Sequence, residues 1–135
     1  MRVLAALLLS LFFAAPALAG SSEAPLQFVD VGPVALPVIQ QGKLRNYVFV
    51  TMRLHLSPQA DSETWRDKEP YFRDALVRAG HRTPFVIPGD WMKLDQAALK
   101  RSMLTEAVRI AGPNIFTSVE VVRSAPQRWA VPPHA

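Results

Sequence analysis

Asn46-Tyr47-Val48-Phe49-Val50-Thr51-Met52-Arg53-Leu54-His55-Leu56 is the stretch that decides the fold. Val48, Val50, Met52, Leu54 and Leu56 are all apolar, whereas Tyr47, Phe49, Thr51, Arg53 and His55 between them are mixed. Successive side chains of a strand point to opposite faces, so a period of two predicts a β-strand with one face in a core and one partly wet.

Upstream, Leu26 to Ile39 is rich in Val, Leu and Ile but is broken by Gly32, Pro33 and Pro37. Proline has no N–H to give to a sheet ladder, so this segment reads as one or two short edge-strand pieces. Gln40-Gln41-Gly42-Lys43 reads as the turn that folds the two segments into an antiparallel hairpin.

Downstream the period changes. After a loop at Ser57–Ala60, Asp61 or Ser62 is suited to cap a helix. Trp65, Phe72, Leu76 and Ala79 then share one helical face. Pro70 kinks this helix or restarts it, because proline fits only the first turn. Glu69 with Arg73 and Asp74 with Arg78 are acid-before-base pairs four residues apart, and Gly80 is expected to end the helix. His81 to Trp91 is a connector with a Pro88-Gly89 turn.

Asp95 is expected to cap a second helix, with Leu94 and Leu99 as a hydrophobic staple. Leu99, Met103, Ala107 and Ile110 are its buried stripe, widened by Leu104 and Ala111, and Gly112-Pro113 stops it. Ile115 to Arg123 is the last strand, with Ile115, Val119 and Val121 facing inward. Residues 124–135 carry three prolines without periodicity and read as a loose tail. The expectation is one α+β domain over residues 26–123 in the order β-β-α-α-β. Two helices pack on a small antiparallel or mixed sheet of about three strands.

The first nineteen residues have the three parts of a secretory signal peptide. Arg2 is the charged start, Val3 to Ala15 is an apolar run interrupted only by Ser10, and Ala17-Leu18-Ala19 precedes the expected cut before Gly20. Residues 20–25 follow as a flexible leader. The chain is therefore expected to be periplasmic. The alternative is an inner-membrane anchor facing the periplasm, for which the sixteen residues Val3–Leu18 are short of the roughly 20 a spanning helix needs.

With no cysteine, disulfides, a thiol nucleophile and a cysteine–zinc centre are excluded. The formal charge of +4, less the one charge of Arg2 after cleavage, is dispersed among acids without a polybasic block. Nucleic acid is not an expected partner. The three histidines, His55, His81 and His134, form no metal-binding spacing, and no Gly-x-Ser-x-Gly, phosphate loop or dinucleotide fingerprint occurs. No catalytic, metal or cofactor site is expected. Trp65, Phe72, Phe85, Trp91 and Phe116 read as core aromatics.

Arg73-Asp74 is the polar pair that stands out, either as part of a solvated helix face or as a lock onto the connector or a partner. The outer side of the first helix, Arg66, Glu69, Arg73 and Arg78, is the candidate interaction surface. Pro70, Asp74, Asp95 and Gly112 are candidate structural residues.

Several of these features occur together in a known family. Pro70-Tyr71-Phe72-Arg73-Asp74-Ala75-Leu76 fits a Pro-x-x-Arg-Asp-x-Leu helix pattern. An amphipathic helix follows from Leu94 to Ile110, then Phe116-Thr117-Ser118-Val119-Glu120-Val121-Val122, a strand of aromatic-Thr-x-aliphatic-x-aliphatic type. In this order residues 45–123 resemble the periplasmic domain of the flagellar basal-body-associated protein FliL family. The resemblance implies a stomatin-like fold and a non-enzymatic scaffold that self-associates around the stator units of the flagellar motor. The alternative is a periplasmic ligand- or envelope-binding protein of the same fold with no motility role.

Overall fold

A computed structural model describes Gly20 and residues 25–128. The expected signal peptide, nearly all of the leader and the end of the tail lie outside the described residues. The fold is α+β, in the order β1 (Phe28–Gln40), β2 (Lys43–Leu56), α1 (Ser62–Asp67), α2 (Glu69–Arg82), β3 (Val86–Ile87), β4 (Asp90–Leu94), α3 (Gln96–Ala111) and β5 (Phe116–Pro126). β1, β2 and β5 form an antiparallel sheet with β2 in the middle, and β3 and β4 form a separate small hairpin. α2 lies against β1, α3 lies against β5, and the two helices pack on each other.

β2 is the strand its alternation predicts: Val48, Val50, Met52, Leu54 and Leu56 are all buried. Flanking it, β1 is one continuous edge strand rather than short pieces. Its buried aliphatic residues are Val29 and Val31, then Val34, Leu36 and Val38, so the inward set passes from odd to even numbers at Gly32-Pro33; Pro37 is buried as well. The ladder shows the cause. Val31 faces Met52 and Val34 faces Val50, so one extra residue bulges out of β1 and keeps the apolar side chains on the core face. Gly32 is required at this bulge. Its φ is +113°, and a Cβ there would stand 2.6 Å from the Val50 carbonyl oxygen.

β5 uses the same device twice, with register shifts at Leu56 and at Thr51 of its partner. The first shift makes Phe116, not Ile115, the strand's buried inward residue, while Ile115 lies just before the strand and is half-buried. The second loops out Val122, so that Ser124 stands opposite the inward Val50. β5 also runs beyond Arg123: Ser124, Ala125 and Pro126 pair with Val50, Phe49 and Val48, so the tail does not begin at residue 124.

Asp61 caps α1 by accepting the Glu63 N–H. Pro70 sits in the first turn of α2, so the chain restarts its helix there. Gly80 does not end α2, which continues to Arg82. It is buried, and a Cβ on it would meet Leu36 Cδ2 at 2.9 Å; its smallness lets the helix approach β1. Asp95 caps α3 through the Ala98 N–H, and Gly112 closes it at φ +88°. Trp65, Phe72 and Phe116 meet with centroids 5.2–6.4 Å apart and seal one end of the core.

Candidate functional site

On α1 and α2 the charged residues are committed mainly to near neighbours. Arg66 Nε donates to the Phe28 carbonyl at 3.3 Å and ties α1 to β1. Glu69 takes Arg73 in a two-pronged contact at 3.0 Å and also accepts the Gly32 N–H at 3.4 Å. Arg78 pairs with Asp74 at 2.7 Å, both side chains exposed. Arg73 and Asp74 therefore turn to their own helix, and among the described residues they form no lock onto the connector. The exposed Asp74–Arg78 pair contributes about 0.3–0.5 kcal/mol.

No sequence pattern marks Glu106. It is buried on α3, and it accepts from Arg82 of α2 at 3.0 Å and from Arg109 one turn on. The Glu106–Arg109 spacing is visible in the sequence, but the Arg82 partner comes only from the packing of the two helices. On the wet face of the sheet, Arg53 grips Asp30 at 2.7 and 2.9 Å and stacks over Phe28. The hydrogen bond from Arg53, more than its charge, holds the Asp30 carboxyl below the usual carboxylate range. Asp61 is likewise lowered, first by the Thr64 hydroxyl and then by the Glu63 N–H. His55 Nε2 lies 3.2 Å from Glu120. Among the described residues no group of three His, Cys, Asp or Glu is placed to hold a metal.

The concave surface lies elsewhere, where the β3–β4 hairpin covers the end of the sheet beyond the core. The segment expected as a connector is thus a hairpin, with its Pro88-Gly89 turn where the spacing places it. The Gln40 side chain fastens the turn. Its amide nitrogen donates to the carbonyls of Ile87 and Asp90 at 2.9 and 3.0 Å, and its oxygen accepts the Gly89 N–H at 3.4 Å. Asp90 accepts the N–H groups of Met92 and Lys93, which shapes the start of β4.

Beneath β4 the inward position of β2 is Asn46 instead of an aliphatic residue, and it is only 5% exposed. Its amide nitrogen donates to the Trp91 carbonyl at 3.1 Å. Its oxygen is buried without a hydrogen-bond partner among the described residues, as is Arg45 Nε. Around them a hollow of about 540 Å³ is lined by Arg45, Asn46, Trp91, Met92, Gln127 and Arg128. A second, of about 410 Å³, continues past Met92 toward Ser124 and Pro126. No carboxylate among the described residues lines either hollow. Trp91, expected in the core, is 48% exposed and carries the Arg45 guanidinium over its ring at 5.1 Å. No sequence signal marked these residues, since Arg128 fell in the supposed tail and Asn46 looked like an ordinary strand start.

Comparison with protein-family models, curated proteins and solved structures finds no match to this chain. No helix among the described residues is long and apolar enough to cross a membrane.

Proposed function

We propose that this protein is a non-catalytic interaction domain of the cell envelope, exported by its Met1–Ala19 segment, with a periplasmic protein partner. Its specific form is the self-associating scaffold implied by the resemblance to FliL, with the flagellar stator as partner. No cofactor enters this reading. The observation that carries it is the outward side of α2. There Tyr71, an aromatic residue 66% exposed, stands one turn before Asp74 and two before Arg78. A large exposed aromatic beside rim charges is the usual make-up of an interface anchor. Rim charges govern partner choice and association rate more than affinity.

Arg73→Glu tests the reading. The Arg73 side chain is about half exposed, so the variant is expected to fold, with a loss of about 1 kcal/mol from the second carboxylate it sets beside the largely buried Glu69. Sedimentation and pull-down from envelope extracts should show weaker association, most clearly at low salt where charges are least screened. Unchanged oligomer size and unchanged partners would remove this helix face from any interface. The alternative of a ligand-binding envelope protein is favoured by a separate observation, the hollow under β4 with its unpartnered Asn46 oxygen.

A further inference from the structure

We propose that the hollow walled by Arg45, Asn46, Trp91, Met92, Gln127 and Arg128 binds the carboxylate end of an acylated amino acid, of which a peptide C-terminus is the extended case. The inference rests on the ligand-binding alternative and is independent of the α2 interface.

Charge comes first. Arg45 and Arg128 line the same hollow, and no carboxylate among the described residues joins them there. Two guanidinium groups beside one space favour an anion in it, and their forked donors match a carboxylate. Arg45 is also held in place, with Nη2 on the Gln41 side chain at 3.4 Å and its plane over Trp91.

Polar satisfaction narrows the ligand further. The Asn46 amide nitrogen is committed to the Trp91 carbonyl, so its orientation is fixed and the atom left over is an acceptor. A buried acceptor without a donor is costly, so a ligand N–H placed against it is favoured. Arg45 Nε is the reverse, a buried donor with no acceptor among the described residues. An acylated amino acid carries both partners on one Cα, an amide N–H on one side and the carboxylate oxygens on the other. Inorganic phosphate brings the charge without the N–H. A free amino acid brings a second charge toward the two arginines.

The remaining wall selects for an apolar side chain. Trp91 and Met92 are both about half exposed, and Met92 borders the second hollow, which offers the side chain or the preceding residue a place to go. The volume of about 540 Å³ is within the roughly 300–1,000 Å³ typical of small-ligand sites.

The test is a titration of the ¹⁵N-labelled protein with three probes: N-acetyl-alanyl-phenylalanine as the free acid, the same dipeptide as its C-terminal amide, and N-acetylphenylalanine. Both acids should shift the Asn46 side-chain amide, the Trp91 indole and the Arg45 Nε resonances. The amide should bind about tenfold more weakly or worse, because a charge-assisted contact is lost. Arg128→Ala alters an exposed side chain and should fold normally, yet weaken the acids by about tenfold. Arg101→Ala, at an exposed position of α3 outside both hollows, should change nothing. A dipeptide acid that binds more tightly than N-acetylphenylalanine assigns the site to peptide termini; equal binding assigns it to free acylated amino acids. Equal affinity for acid and amide, or an Arg128→Ala variant with unchanged affinity, would overturn the carboxylate proposal while leaving a neutral-ligand hollow. Absence of any shift with all three probes would overturn the proposal and the ligand-binding alternative together.

Discussion

The two ends of the inner face of β2 are built from the same alternation and are filled differently. At the Leu54–Leu56 end, Trp65, Phe72 and Phe116 close over the strand. At the other end the inward positions are Asn46 on β2 with Ser124 and Pro126 on β5, and only the thin β3–β4 hairpin lies above them. One strand therefore runs from a packed aromatic seal to a polar hollow. Side-chain period fixes which face of a strand is inward, but the layer that reaches that face decides whether it is core or site.

The sharpest way to break this contrast is Phe72→Ala. Phe72 is fully buried between two aromatic rings, and its removal leaves a cavity that α2 and the sheet cannot close. A loss of about 4 kcal/mol in urea or thermal unfolding is expected. A loss under about 1 kcal/mol would mean that the aromatic end is not the seal.

Asn46→Leu probes the opposite end with a residue of similar length. It gives up the hydrogen bond to the Trp91 carbonyl but also removes an unsatisfied buried oxygen. These effects oppose each other at about 1 kcal/mol apiece, so unfolding should stay within about 1 kcal/mol of the parent. A large destabilisation would show that Asn46 belongs to the structural core after all.

The smallest effect is that of acid. Asp30 and Asp61 both lie toward the aromatic end, where Asp30 pairs with Arg53 and Asp61 caps the helix that carries Trp65. Both carboxyls are held below their ordinary value of 3.8, so the folded state takes up their protons less readily than the unfolded chain. Their contribution is present above that value and is lost as pH falls through the lowered pKa values. Unfolding followed between neutral and acidic pH should show a modest decline confined to the acid limb. Asp30→Asn and Asp61→Asn should each flatten it, and an unflattened limb in both would assign the decline to other carboxylates.

How far the sequence discloses this molecule follows the same division. β2, the β1–β2 turn, the restart at Pro70, the Asp95 cap and the stop at Gly112 each rest on a local rule that a few residues can display. Gly80 obeyed a different rule from the one its position implied. A glycine after an apolar stripe resembles a helix stop, and only the approach of Leu36 shows that it serves packing. The β3–β4 hairpin escaped notice because a two-residue strand is too short to show alternation. Ser124–Pro126 looked like tail because the bulges on β5 shift its phase and Pro126 ends it. The hollow combines residues from β2, β4 and the end of β5, so its unpaired atoms exist only after those segments meet.

The Gln40 side chain gives the molecule an order of events. It bridges to residues 47 and 50 positions later in the chain, and through it the β3–β4 turn is moored to the end of β1 by side-chain contacts in addition to its own short ladder. A roof fastened in this way opens locally at far lower free energy than the strands beneath it. The wall that β4 gives to the hollow is therefore expected to keep or lose its shape with one amide clamp, on a clock separate from the global unfolding of the domain.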